Sequence, residues 1–145
     1  MSTSSVCDQL INRMVTVLTG ATEAADRVFD SREAAIARDE MPCIAITPPD
    51  SEESRVFGAG VDQNTVLITV SVLARDDAWR AVADRVVVAA HRLLMRDAQL
   101  QALVVKITKE GRKWEAEEAD QTAGSDSITY RLIYLSLSND LTSTI

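Results

Sequence analysis

Aromatic side chains are scarce in this sequence: two tryptophans, two tyrosines and two phenylalanines among 145 residues. Binders of single-stranded nucleic acid stack bases on such rings, so that class is disfavoured. Positive charge is short as well. Fifteen lysines and arginines face 22 aspartates and glutamates, a formal charge of −7 at pH 7. A protein that grips a phosphate backbone needs a basic face. The balance still admits one that lets DNA pass without holding it. The two cysteines, Cys7 and Cys43, are too few for a disulfide framework and read as buried thiols in a reducing compartment. The N-terminal Met-Ser-Thr-Ser-Ser lacks the basic region and apolar core of a signal peptide, and no apolar run is long enough to span a bilayer. The chain reads as soluble, made in a cytoplasm and without a membrane partner.

The apparatus of catalysis is equally thin. His91 is the one histidine, and no cysteine, serine or carboxylate is placed in sequence to act with it as nucleophile or orienter. It reads as a structural or solvent-facing residue. Gly58-Ala-Gly60 lacks the lysine and spacing of a phosphate loop and counts as a turn or hinge. Glu115, Glu117, Glu118 and Asp120 form an acidic run. On a strand the first two share one face and the last two the other. The glycine-containing loop of an EF-hand is missing, so the run reads as a solvated or electrostatic surface. Catalysis, a bound metal and a cofactor are all unexpected, and no catalytic, metal or cofactor residue is singled out.

What is present is aliphatic. Hydrophobic residues make up 46% of the chain, enough for a core at this length, which suits one domain over 1–145. The central stretch is the clearest. Thr65–Leu73 is rich in β-branched residues and alternates, with Val66, Ile68, Val70 and Val72 on one face. Ala78–Met95 has helical period, with Trp79, Val82, Val86, Ala89, Ala90, Leu93 and Leu94 on one stripe. Asp76 or Asp77 is expected to cap that helix. Before it, Ser4 or Ser5 caps a helix to about Thr19, striped by Val6, Leu10, Met14, Val17 and Leu18 and ended by Gly20. Val28-Phe29 suggests a short strand, Glu33–Ala37 a helical turn, and Cys43–Thr47 a strand stopped by Pro48-Pro49.

Asp50–Gln63 is polar and glycine-containing and reads as a long functional connection. After the central helix, Ala98–Ala102 adds a helical turn. Leu103–Thr108, a turn at Glu110–Lys113, a return over Trp114–Asp120, a second turn at Thr122–Asp126 and Ile128–Leu137 then read as a three-strand meander. The last strand is apolar on both faces, as suits an interior position or a covered outer face. Residues 138–145 read as a loose tail. The expected fold is α+β: a mixed, mostly antiparallel sheet with two main helices packed on one face. Candidate interface residues are Arg55, Phe57 and Asp62 in the long connection, and Trp114, Glu115 and Glu117 in the acidic run.

The pattern over residues 4 to 138 resembles the tail terminator proteins of long-tailed bacteriophages and prophages, the minor tail protein U type. The resemblance rests on the helix Val6–Leu18, the strand Met41-Pro-Cys-Ile-Ala-Ile46, and Val66–Leu73 followed by Asp77-x6-Asp84-x-Val86-x6-Leu93. The closing Tyr130-Arg-Leu-Ile-Tyr134 completes it. It implies a structural virion protein, assembled in the bacterial host cytoplasm and located in the tail. Such proteins form a homo-hexameric ring on the finished tail tube. The ring ends polymerisation of the tail tube protein, offers a surface to the head-side connector protein, and lets DNA through its lumen. A negative lumen suits that passage. A ring needs one patch to meet a different patch. The Asp50–Gln63 connection and the outer sheet face are the natural pair, with the subunit free to stay monomeric until it meets the tube. Two other classes remain open at this stage: an adaptor or regulatory α+β binding domain, and a small enzyme whose site is assembled from distant residues.

Overall fold

The computed structural model describes residues 4–30, 41–117 and 120–144. In chain order the elements are α1 (Val6–Leu18), β1 (Val28–Asp30), β2 (Cys43–Thr47), β3 (Glu52–Gly58), β4 (Val61–Arg75), α2 (Trp79–Arg96), α3 (Ala98–Leu103), β5 (Lys106–Glu117), β6 (Asp120–Leu137) and β7 (Asp140–Thr144). The helical turn expected over Glu33–Ala37 lies outside the described residues.

The sheet is organised on two long strands. β4 pairs antiparallel with β6 along the whole of β4, from Val61↔Leu137 to Arg75↔Ala123. Each is too long for one neighbour to cover its far edge. On β4 that edge is shared by β3, against Val61–Val66, and β2, against Thr69–Leu73. On β6 it is shared by β5 and β7. β1 joins β2 in parallel, and every other pairing is antiparallel. The fold is thus α+β with a mixed, mostly antiparallel sheet.

Alternation along the two long strands sorts their side chains. Val66, Ile68, Val70 and Val72 of β4, with Ile128, Tyr130, Leu132 and Tyr134 of β6, are all buried on the face that meets α1 and α2. From the helices come Val6, Leu10, Ile11, Met14 and Leu18, and Trp79, Ala83, Val86, Val87, Ala90 and Leu94. Among the described residues, no helix packs on the other face of the sheet. Its middle is lined by hydroxyls, with Thr69 bonded to Thr129 (2.9 Å) and Ser127 donating to Ser71 (2.8 Å). Toward one end it turns apolar, through half-buried Ile133 and Leu135 to exposed Leu137.

Local chemistry fixes the helix ends. Ser5 caps α1 by accepting from the Asp8 amide at 3.2 Å, and Gly20, at φ +74°, takes the left-handed step just past the helix. Asp97 caps α3 through the Leu100 amide and binds Arg13 of α1 through both carboxylate oxygens, at 2.9 and 2.7 Å. That guanidinium holds the Asp97 carboxyl below its usual range. The cap of α2 differs from expectation. Its N-cap is Ala78, and Asp76 instead accepts from the Ala78 amide at 2.8 Å, closing the turn before the helix.

Four segments differ from the sequence reading. Asp50–Gln63 is not an open connection: Glu52–Gly58 is a strand and pairs with the start of β4 as a hairpin arm turned at Gly60, φ +73°. All seven residues of β3 are exposed, so the strand is held by backbone hydrogen bonds and by the Ser54 hydroxyl donating to Asn64 Oδ1 at 2.7 Å, and it leaves no alternating pattern to read. The Glu110–Lys113 turn is absent. β5 runs straight through it with a bulge at Lys109/Gly111, and Trp114 continues the same strand. The turn at Thr122–Asp126 is absent too, because those residues belong to β6. The tail is not loose through Thr144: β7 adds to β6, and the Gln9 side-chain amide donates to the Thr142 carbonyl at 2.8 Å.

Gly124 has a specific reason to be glycine. A Cβ there would lie 2.6 Å from the ring of Trp79, which is itself buried. Gly124→Ala is expected to cost about 1–3 kcal/mol through overpacking. Denaturant midpoints at unchanged m-value measure it, and in a Trp79→Leu background the same added methyl should cost little. A midpoint equal to that of the parent would show that the ring moves aside freely.

Candidate functional site

The candidate residues form two groups rather than one site. Arg55, Phe57 and Asp62 lie on the β3–β4 arm. Trp114, Glu115 and Glu117 lie at the far end of β5. Asp62 pairs with Ser136 and Trp114 with Asp126 on the shared strand β6. The groups therefore stand ten residues apart, roughly 33 Å at the rise of a strand.

On the arm, Val56 is 81% exposed and Phe57 62% exposed. Acids frame them: Glu52 and Glu53 precede them on β3, and Asp62 follows on β4, where it accepts from the Ser138 hydroxyl at 2.9 Å. Arg55 stands opposite Gln63 on the sheet side away from the helices. An exposed aromatic beside a branched aliphatic, on an edge strand of a hairpin, is the composition of an anchor rather than of a solvated loop.

At the other end Trp114 is partly enclosed. The Arg112 guanidinium lies 4.7 Å from its ring centroid and that of Arg80 lies 5.1 Å away. Arg112 is the centre of this cluster. It donates through Nε and Nη2 to both oxygens of fully buried Asp126, at 2.9 and 2.6 Å, and reaches Asp84 of α2 at 2.8 Å. The two carboxylates push the Arg112 pKa above its ordinary value. Trp114 thus caps a structural ion pair and keeps only part of its ring for a partner. Glu115 pairs with Lys113 at 3.3 Å, and Glu117 is exposed at the strand end. Nothing is described for the side chains of Glu118 and Asp120, and no cluster of metal-ligating groups occurs among the described residues.

His91 is half-buried on α2. Its ring stacks on Tyr130, centroids 5.7 Å apart, and its Nδ1 lies 2.8 Å from the Tyr130 hydroxyl. Burial raises the Tyr130 pKa, so the phenol keeps its proton. The histidine satisfies a buried hydroxyl, as a structural residue does. Burial, then the charge of Lys109, hold its pKa below 6.5. Between that folded value and 6.5 the unfolded chain binds a proton that the folded chain resists, so stability rises with pH there. The contribution is complete above 6.5, falls as pH drops through the window, and is gone below the folded pKa. A His91→Gln variant should lack this component when melting temperature is followed from about pH 7.5 to 5, the range in which histidine titrates. Superimposable profiles for the two proteins would refute it.

The sequence reading missed a groove of about 360 Å³ between α2 and β5. Its floor is Val87, Met95 and Ile128, with Val88 44% exposed, and its rim is Arg92, Arg96 and Lys109. A signal for it was present. Val88, Arg92 and Arg96 recur every four residues, which makes one helical stripe beside the core stripe. In a chain of net charge −7 this is a concentrated basic patch.

No helix among the described residues is long and apolar enough to cross a membrane. No family model matches the sequence, and no curated protein is similar to it. Among solved structures, the chain is similar to one from the virion of a native gene transfer agent particle, at 13% identity and a TM-score of 0.59. The match covers 91% of this chain and 92% of that one. At that identity it is the fold that is shared, and it is shared over nearly the whole of both chains.

Proposed function

We propose that this protein is a structural, non-catalytic component of a phage-like virion that forms a homo-hexameric ring on the tail tube. The ring stops addition of tail tube protein, offers its free side to the head-side connector, and passes DNA without gripping it. The observation that carries the reading is the end-to-end fold likeness to a chain of a gene transfer agent virion. The composition supports it: an acidic, aromatic-poor surface repels the phosphate backbone instead of binding it. The arrangement of surfaces supports it as well. Exposed anchors on one sheet edge and a basic groove on the opposite edge are patches of different kind, as a rotational ring requires. On this reading the chain belongs to the tail of the virion and assembles in the host cytoplasm.

The test is to delete its gene in cells that produce the particles and to image the tails. Overlong tube and unjoined heads are expected, with normal tails restored by the gene in trans. Labelled protein should lie at the head-proximal end of the tail. Tails of normal length that join heads without the protein would refute the reading.

A further inference from the structure

We propose that the β3–β4 arm of one copy docks in the α2–β5 groove of the next, and that this contact closes the ring. The inference rests on the reading above for its setting, but its argument is local. The arm offers Val56 and Phe57, exposed and apolar, flanked by Glu52, Glu53 and Asp62. The groove offers the complement: an apolar floor that includes exposed Val88, and a cationic rim. Arg92, Arg96 and Lys109 take part in no ion pair among the described residues, so their charge is free to meet an incoming carboxylate. An apolar centre inside a charged rim is the anatomy of a protein interface.

Topology decides the occupant. β3 is the edge strand beside β4, and β5 is the edge strand on the far side of β6. The two patches lie on opposite edges of one sheet, separated by three strand spacings, about 14 Å. The arm cannot fold back into its own groove, which leaves a second copy as the occupant. A second copy placed head to tail satisfies one patch and leaves another open for a third copy. Such a heterologous contact either closes as a ring or grows as a filament.

The experiment places a benzophenone amino acid at position 57 and irradiates the assembled particles and the concentrated purified protein. A cross-linked dimer is expected, with the link mapped to the peptide around Val88 and Arg92. In parallel, Arg92→Glu with Arg96→Glu should abolish self-association, as should Glu52→Lys with Glu53→Lys. Mixing the two charge-reversed proteins should restore it at least tenfold over either alone. Links to a different protein, links elsewhere on this chain, no link at all, or failure of the mixture to recover would each overturn the docking. The two proposals fail separately. A protein that still ends tails but links outside the groove retains the cap and loses this contact. One that links as expected yet leaves tail length unchanged retains the contact and loses the cap.

Discussion

Arg112→Met is expected to destabilise the protein by about 3–5 kcal/mol, because it strands a buried carboxylate. Asp126 is fully buried on β6, and among the described residues Arg112 alone holds it, through two parallel hydrogen bonds. Methionine keeps the bulk of the arginine stem and removes only the charge and the donors. The cost therefore reports an uncompensated carboxylate rather than a cavity. The other contacts of Arg112 are worth less. Asp84 is 55% exposed, so that pair is screened by water. Trp114 is also contacted by Arg80, and such a contact contributes about 0.5–1 kcal/mol at an exposed site. Adding Asp126→Leu to the methionine variant should recover most of the loss, since an apolar pair of similar volume replaces a buried ion pair at little cost. Urea denaturation of the parent, both single variants and the double variant completes the cycle. A single variant within about 1 kcal/mol of the parent would mean that water reaches Asp126 and serves it as well as arginine does.

Val86→Asp should have an effect as large or larger. Val86 is fully buried at the centre of the α2 stripe, in the same cluster as the inward residues of β4 and β6. A carboxylate there loses its hydration and gains no cation, a penalty of several kcal/mol on top of the lost methyl contacts. Since domains of this kind are stable by only about 5–15 kcal/mol, the variant should be largely unfolded or insoluble when expressed. Val88→Asp is the matched control. It lies two residues away on the same helix, 44% exposed, and carries the same loss of helix propensity, about 0.7 kcal/mol at most. If the two variants melt together, Val86 is not part of the core.

The legible parts of this fold were those where burial imposes a period. The stripe of Val6, Leu10 and Met14, the stripe from Trp79 to Leu94, and the alternation from Val66 to Val72 each announce the face that meets the core. The illegible parts lack such a face or reuse turn residues for other purposes. Strand β3 is exposed along its whole length, so Asp50–Gln63 resembled an open connection. Gly111 marks a bulge and Gly124 a close approach to Trp79, where turns were expected. Continuity through both glycines moves Trp114 and Asp126 into direct register, and their cluster with Arg112 depends on that register. No spacing in the sequence encodes it. Phe57 and Trp114 stand out as aromatics outside the core stripes, whereas the basic stripe of Val88, Arg92 and Arg96 lies beside the apolar face of α2 and looks like an ordinary solvated flank.

The long β4–β6 ladder also dictates the order in which the molecule takes shape. Its pairs enclose α2, α3 and β5, so the chain must close a large loop before the first rung can form. Refolding should belong to the slow class of non-local sheets, on a timescale of roughly milliseconds to seconds. The loop is shortest at Arg75↔Ala123 and longest at Val61↔Leu137. The Trp79–Gly124 and Arg112–Asp126 contacts both lie near the short end, where they can hold the first rungs while the others zip toward β3. The β3–β4 arm needs no such loop: its two strands are joined through Gly60, so its register is set locally and does not wait for β6.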